Sequence, residues 1–196
     1  FRRVLFRSIY TPITLEEINT KIDRIWSLID EAHIDEAYAV AENLVLEASQ
    51  RVGAGDVQTL HTLARMYHAV AHATSLGLKT EEVGQMLYYY QQMEYFARQL
   101  KDDTLVNISL AYQGDMLRRK GDIAHAIQCL EKARDTTPQA DEAARGNALQ
   151  LLARAYIQGQ QPESFDTVIK EAEDLAYAIE QQNNSVRQFN LGYVFE

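Results

Sequence analysis

One internal stretch constrains this chain more than any other: residues 107–138, NISLAYQGDMLRRKGDIAHAIQCLEKARDTTP. Leu110, Gly114 and Leu117 recur at four- and three-residue spacing, which places them on one face of a helix. Lys120-Gly121-Asp122 ends that run, because glycine accepts the left-handed conformation that closes helices. Ile123, Ala126, Ile127, Leu130 and Ala133 then form the apolar stripe of a second helix. Pro138 stops it, having no amide hydrogen to donate and a ring that clashes with the preceding turn. Small residues at Gly114, Ala126 and Ala133 stand where the two helices of a hairpin touch, with larger ones beside them. A hairpin this small buries its stripe only by stacking on neighbours.

Written as Leu110-x2-Gln113-Gly114-x2-Leu117, then Ala126-x3-Leu130, then Pro138, the stretch resembles a tetratricopeptide repeat. That family's pattern is W-x2-L-G-x2-Y, then A-x3-F, then P. Leu fills two of the large apolar places and Gln113 replaces the usual Leu. Looser copies lie on either side. Leu60-x2-Leu63-Ala64-x2-Tyr67 and Leu149-x2-Leu152-Ala153-x2-Tyr156 repeat the first-helix pattern. Gln188-x2-Leu191-Gly192-x2-Phe195 opens a fifth unit. The first unit is divergent. Thr14-x-x-Glu17 is a capping box for a helix carrying Leu15, Ile18, Ile22, Ile25 and Ile29, but Trp26 falls where a small residue is expected. Ile34-Asp35-Glu36-Ala37 opens its return helix.

The second unit exceeds the usual length of about 34 residues. Its return helix starts near Thr80, runs to about Leu100 and carries Tyr88-Tyr89-Tyr90, Tyr95 and Phe96. Adjacent tyrosines point about 100° apart on a helix, so at least one of the three is expected outside the core. The fourth unit turns at residues 158–162 and returns through Phe165, Ile169 and Ala172. The resemblance therefore implies an all-α fold: a right-handed α-solenoid of antiparallel helix pairs, about four pairs plus one extra helix. This domain is expected over residues 9–196, with its last pair truncated at the C-terminus. Residues 1–8, FRRVLFRS, depart from the pattern and resemble a translated sequencing-adapter stretch; they are read as a sequence scar outside the fold.

Composition narrows the function classes. Three prolines and nine glycines in 196 residues favour helix over sheet. A net charge of −9 disfavours direct nucleic-acid binding, which draws its affinity from clustered Lys and Arg. The single cysteine, Cys129, excludes an intramolecular disulfide and is consistent with a reducing, cytoplasmic setting. No apolar run reaches the roughly 18 residues that a bilayer span needs, so no membrane partner is expected. No nucleotide-binding loop, zinc-protease motif or paired-cysteine metal motif occurs, so neither an enzyme nor a cofactor is expected. His61, His68 and His72 share one helix face. His68 and His72 have the spacing of a two-imidazole chelate, but no acidic residue or cysteine on that helix completes a ligand set, and no metal site is assigned.

In the family resembled, the first helix of each pair lines a concave groove, and its polar residues touch the ligand. Carried over residue by residue, that implies Asp23, Ser27 and Asp30 in the first unit, and His61, Arg65 and His68 in the second. It implies Asp115 and Arg118 in the third, and Asn147, Gln150 and Arg154 in the fourth. Arg65, Arg118 and Arg154 thus recur along one surface of an acidic protein. Each either meets the carboxylates of a peptide, or pairs with Asp115, Glu142 or another acid between helices. The Lys/Asn carboxylate clamp that family members use on chaperone tails is not reproduced. The expected role is a scaffold binding a protein or peptide in its groove. The alternative is the ligand-sensing and dimerisation domain of a bacterial transcriptional regulator whose DNA-binding domain lies outside this chain; a homodimer belongs to that reading.

Overall fold

A computed structural model describes residues 13–48, 56–76, 83–136 and 141–181. Eight helices follow in order: α1 Leu15–Asp30, α2 Ile34–Ala48, α3 Val57–Leu76, α4 Val83–Leu100, α5 Asp103–Arg119, α6 Ile123–Thr136, α7 Glu142–Gln158 and α8 Pro162–Gln181. Among the described residues there is no strand. Residues 1–8, Thr80, Pro138 and the fifth unit at 188–195 lie outside the described residues.

The starts follow the sequence signals. Thr14 Oγ1 accepts from the Glu17 amide at 3.1 Å and the Thr14 amide donates to Glu17 Oε2 at 2.6 Å, closing the capping box of α1. Asp102 caps α5 through the Leu105 amide at 2.9 Å, and Asp141 caps α7 through the Ala143 amide at 2.9 Å. Pro162 takes the first position of α8, where a missing N–H costs nothing.

The ends share one device. After α5, the Asp122 amide bonds the Leu117 carbonyl at 3.0 Å and the Gly121 amide bonds Arg118 at 2.9 Å, a Schellman closure with Gly121 at φ 85°. The same pair of bonds closes α1, α4 and α7, but there the left-handed residue is Ala32, Lys101 or Gln160. Gly159 stands one place before Gln160, at φ −79°. A methyl there would come within 3.1 Å of Ile127 and 3.3 Å of Ile123, so this glycine serves close packing of α7 on α6.

These turns fix the register of the units. Seven residues before the left-handed residue stand Ile25, Gly114 and Ala153; six before it stand Trp26, Asp115 and Arg154. Trp26 therefore does not occupy the small-residue place expected from the sequence. Ile25 does, and the first unit reads one residue out of step with that expectation.

Consecutive helices pack as antiparallel hairpins, α1/α2, α3/α4, α5/α6 and α7/α8, and each second helix also packs on the first helix of the next pair. α1 packs on α3 and α5 on α7, whereas no two even-numbered helices pack closely on each other. α1, α3, α5 and α7 therefore lie on one side of the stack, its inner side, in contact at α1/α3 and α5/α7. One apolar core joins α1–α4 with Met116; a second joins Ala97 with α5–α8. Interhelical hydrogen bonds join helices within the α5/α6 hairpin and between successive hairpins. Asn107 Nδ2 donates to the Ala133 carbonyl at 2.8 Å, Gln113 Nε2 to Glu94 at 2.6 Å, and the Tyr156 hydroxyl to Glu131 at 2.7 Å.

Candidate functional site

Packed on both flanks, α3 keeps one solvent-facing stripe: His61, Arg65, His68 and His72, at i, i+4, i+7 and i+11. Since α3 is an inner helix, that stripe belongs to the inner wall. On α1 the matching stripe holds Asn19, Asp23 and Trp26, and on α5 it holds Ile108, Tyr112 and Arg119, with Asp115 on the same stripe but buried.

The expected groove residues divide into three groups. Some are already paired. Arg65 Nη2 donates to Asp23 at 3.2 Å and its Nη1 to Asn19 at 3.1 Å, bridging α3 to α1. Asp115, only 2 % exposed, accepts from two guanidiniums: Arg118 at 2.6 Å through Oδ1 and Arg119 at 2.7 Å through Oδ2. Ser27 donates to Glu31 at 2.7 Å within α1. A second group is open. Asp30 and His61 are exposed. Arg154 is exposed too and makes no hydrogen bond or ion pair among the described residues. The third group is enclosed: Gln150 is buried, and Asn147 and His68 are partly so. Of the three arginines, two therefore pair with carboxylates, one across helices and one within α5, and one faces solvent. Arg119, not singled out from the sequence, is the more exposed member of the Asp115 pair, its side chain 48 % accessible against 15 % for Arg118.

The middle of the inner wall is aromatic. Trp26 lies 5.2 Å from His68 and 5.3 Å from His72, ring centre to ring centre. Tyr112 reaches both imidazoles from α5, at 6.4 Å and 6.2 Å, and stacks on Tyr90 of α4 at 5.1 Å with the rings 12° apart. Trp26, His68, His72 and Tyr112 are each half-buried, while Tyr90 is fully enclosed. Burial, aided by the neighbouring His72, pushes His68 down to about 4, and burial lowers His72 as well. Both imidazoles are thus neutral at pH 7. His68 and His72 stand 6.4 Å apart, edge to face, and among the described residues no group of three or more His, Cys, Asp or Glu side chains could hold a metal ion. Cys129 is not activated: its thiol donates to the Leu110 carbonyl at 3.4 Å and burial raises it to about 11.

Reasoning from the sequence missed Trp26 and Tyr112. Tyr112 was within reach, because Ile108, Tyr112, Asp115 and Arg119 continue one stripe at i, i+4, i+7 and i+11. Trp26 was hidden by the one-residue error of register.

No family model matches the chain, and no curated protein does. Among solved structures it is similar to a putative kinesin light chain of Podosopora anserina with nearly identical TPR-like repeats. The TM-score is 0.56 at 14% identity, over 89% of this chain and 79% of that one. A point variant of that protein matches at a TM-score of 0.47 and 11% identity, over 87% of this chain and 98% of that one. The first match shows the fold: a TPR-like α-solenoid. Among the described residues, no helix is long and apolar enough to cross a membrane.

Proposed function

We propose that this chain is a binding scaffold, not an enzyme, and that its inner wall holds an extended or helical peptide of a protein partner. The observation that supports this reading is that α1, α3, α5 and α7 stand on one side of a helical stack, with accessible polar side chains such as Asp23, His61, Arg119 and Arg154 along that side. A rigid face of that kind suits a peptide that contacts several helices at once. Under this reading Asp23, Ser27, Asp30, His61, Arg65, His68, Arg118, Asn147 and Arg154 line the contact surface, with Asp115 and Gln150 buried behind it. Arg154 is the open cation for an acidic group or a C-terminal carboxylate, since a guanidinium offers a planar fork of donors. Arg118 and Arg119 share a single carboxylate, Asp115, which leaves a net positive corner on an otherwise acidic protein. The expected setting is the cytoplasm, with no cofactor.

The test is binding to an array of acidic peptides, with Arg118→Glu plus Arg154→Glu as the comparison. We expect the double reversal to weaken capture by at least about tenfold, the loss of one or two charge-assisted hydrogen bonds. Unchanged capture would remove the arginines from the site.

A further inference from the structure

The inner helices meet at α1/α3 and at α5/α7, but the backbones of α3 and α5 do not pack closely on each other. Rings bridge that interval. Trp26 lies 5.2 and 5.3 Å from His68 and His72, and Tyr112 lies 6.4 and 6.2 Å from the same imidazoles. Behind the rings α4 and α5 are in close contact, and Gln113 of α5 donates to Glu94 of α4 at 2.6 Å. The two apolar cores divide at the same place, where Met116 of α5 reaches into the first and Ala97 of α4 into the second. The halves α1–α4 and α5–α8 therefore share a firm seam at α4/α5 and a bridge of side chains on the inner side.

That bridge is built for neutral imidazoles. His72 Nδ1 is buried and has no hydrogen-bond partner. A charged imidazole carries a proton on both nitrogens, so a charged His72 would bury an N–H with no acceptor. The surrounding charges bring no relief. On α1 Asp23 is bonded to Arg65 of α3, and on α5 Asp115 is bonded to Arg118 and Arg119. From α4 comes the uncharged Tyr90, stacked on Tyr112, and α3 itself adds His61. Among the described residues no carboxylate of α1, α2, α4 or α5 favours the charged form of either imidazole, and His72 disfavours that of His68. The pair can be charged only by letting water in between α3 and α5.

We propose that Trp26, His68, His72 and Tyr112 form an acid-sensitive wedge, which fixes the spacing of the second and third hairpins while its imidazoles are neutral and, once they are charged, frees the two halves to swing about the α4/α5 seam with their helices intact. The direction follows from burial. His68 titrates near 4 in the closed wedge and would return to about 6.5 in water, so the released form takes up the proton first as pH falls. Between about pH 7 and 4.5 His68 alone shifts the balance toward release by about fiftyfold. The wedge stands whether or not the inner wall binds a peptide.

The test is a distance between spin labels on the whole chain with Cys129→Ser. Asn43→Cys on α2 and Lys170→Cys on α8, both exposed, span the seam, while Asn43→Cys with Gln91→Cys on α4 stays within one half. From pH 7 to 4.5 the spanning distance should shift and broaden, with the internal distance and the far-UV helix signal unchanged. His68→Phe plus His72→Phe keeps the rings and removes the charge, and should hold the spanning distance constant. Should that variant fail to fold, Tyr112→Ala, which withdraws the wedge from the other side, should broaden the distance already at pH 7. A spanning distance indifferent to acid would mean that Trp26 and Tyr112 hold the charged imidazoles against their faces, and overturns the proposal. So does an equal shift in the double phenylalanine variant, an unaltered distance in Tyr112→Ala, or loss of the helix signal in step with the shift.

Discussion

Two neighbouring hairpins are held together in different ways. In α5/α6, Gly114 lets Leu130 come so close that a methyl on the glycine would lie 2.4 Å from Leu130 Cγ. In α3/α4, ring meets ring: Tyr67 stacks on Phe96 at 5.9 Å, nearly parallel, and sits 6.1 Å from Tyr89. The first hairpin is a small residue facing a large one, and its two backbones close up around a single side chain. The second has rings at its seam, and a separate ring set, Tyr90 of α4 stacked on Tyr112 of α5, meets His68 and His72 of α3 at the inner wall. The close-packed hairpin has nothing to offer a ligand at its seam. The other hairpin buries its seam rings, Tyr67, Tyr89 and Phe96, and separately presents half-buried imidazoles, His68 and His72, on the inner face of α3.

The largest effect should come from the close-packed seam. Leu130→Ala removes a fully buried side chain whose place Gly114 cannot fill, and should cost about 3–4 kcal/mol in denaturant unfolding. A loss below about 1 kcal/mol would place the cohesion of this hairpin elsewhere.

Next comes the buried carboxylate of α5. Asp115→Ala leaves Arg118 and Arg119 without their shared acceptor, and should destabilise by about 2–3 kcal/mol, less than a fully enclosed pair because Arg119 reaches water. A stable Asp115→Ala protein with impaired peptide capture would instead make Asp115 a contact residue, as read from the sequence.

On the aromatic side the lever is pH. Because burial holds His68 near 4 in the folded chain, against about 6.5 unfolded, the unfolded state takes up the proton first as pH falls. The contribution of the neutral imidazole is therefore whole above about pH 6.5 and is lost on the way down to about 4. Between about pH 7 and 4.5 the unaltered chain should lose about 2 kcal/mol more than His68→Gln, measured by denaturant midpoints at both pH values. Carboxylates that titrate in the same range are common to both proteins and cancel. Equal losses would mean that His68 is solvated.

How far these features could be read beforehand depends on whether they lie within one unit. The seam of α5/α6 is local: Gly114, Gly121, Ala126 and Leu130 fall in one stretch, and each has a fixed spacing. The caps at Thr14 and Asp141 are equally local. The turns were harder. Among the described turns glycine takes the left-handed place only after α5, while two backbone hydrogen bonds hold Ala32, Lys101 and Gln160 in the left-handed conformation, offsetting a steric cost of about 1–2 kcal/mol each. Without a glycine after α1 the register slipped by one, and Trp26 was assigned to the packing seam. The ring cluster was beyond local reading, since Trp26, His72 and Tyr112 belong to three different units and meet only once these are stacked.

A second change in the close-packed seam separates fit from hydrophobicity. Gly114→Ala forces Leu130 aside but gains helix propensity, so the net loss should be about 1–2 kcal/mol. Combined with Leu130→Ala, which clears the space, it should be neutral or stabilising, a double-mutant cycle that departs from additivity by at least about 1 kcal/mol. Additive losses would mean that the two side chains do not share that space.

The smallest effect on stability is expected at Arg154, and it is informative for that reason. Its guanidinium is exposed and ties to nothing among the described residues, so Arg154→Ala should change the unfolding free energy by less than about 0.5 kcal/mol. Arg65, which bridges α3 to α1 at 3.1–3.2 Å, should not behave the same way: Arg65→Ala loosens the inner wall as well as removing a charge. Acidic-peptide capture that falls with Arg154→Ala while stability holds would assign that arginine to the ligand, since folding does not use it. If only Arg65→Ala lowers both, the cations of this wall serve the scaffold, and recognition has to rest on the rings.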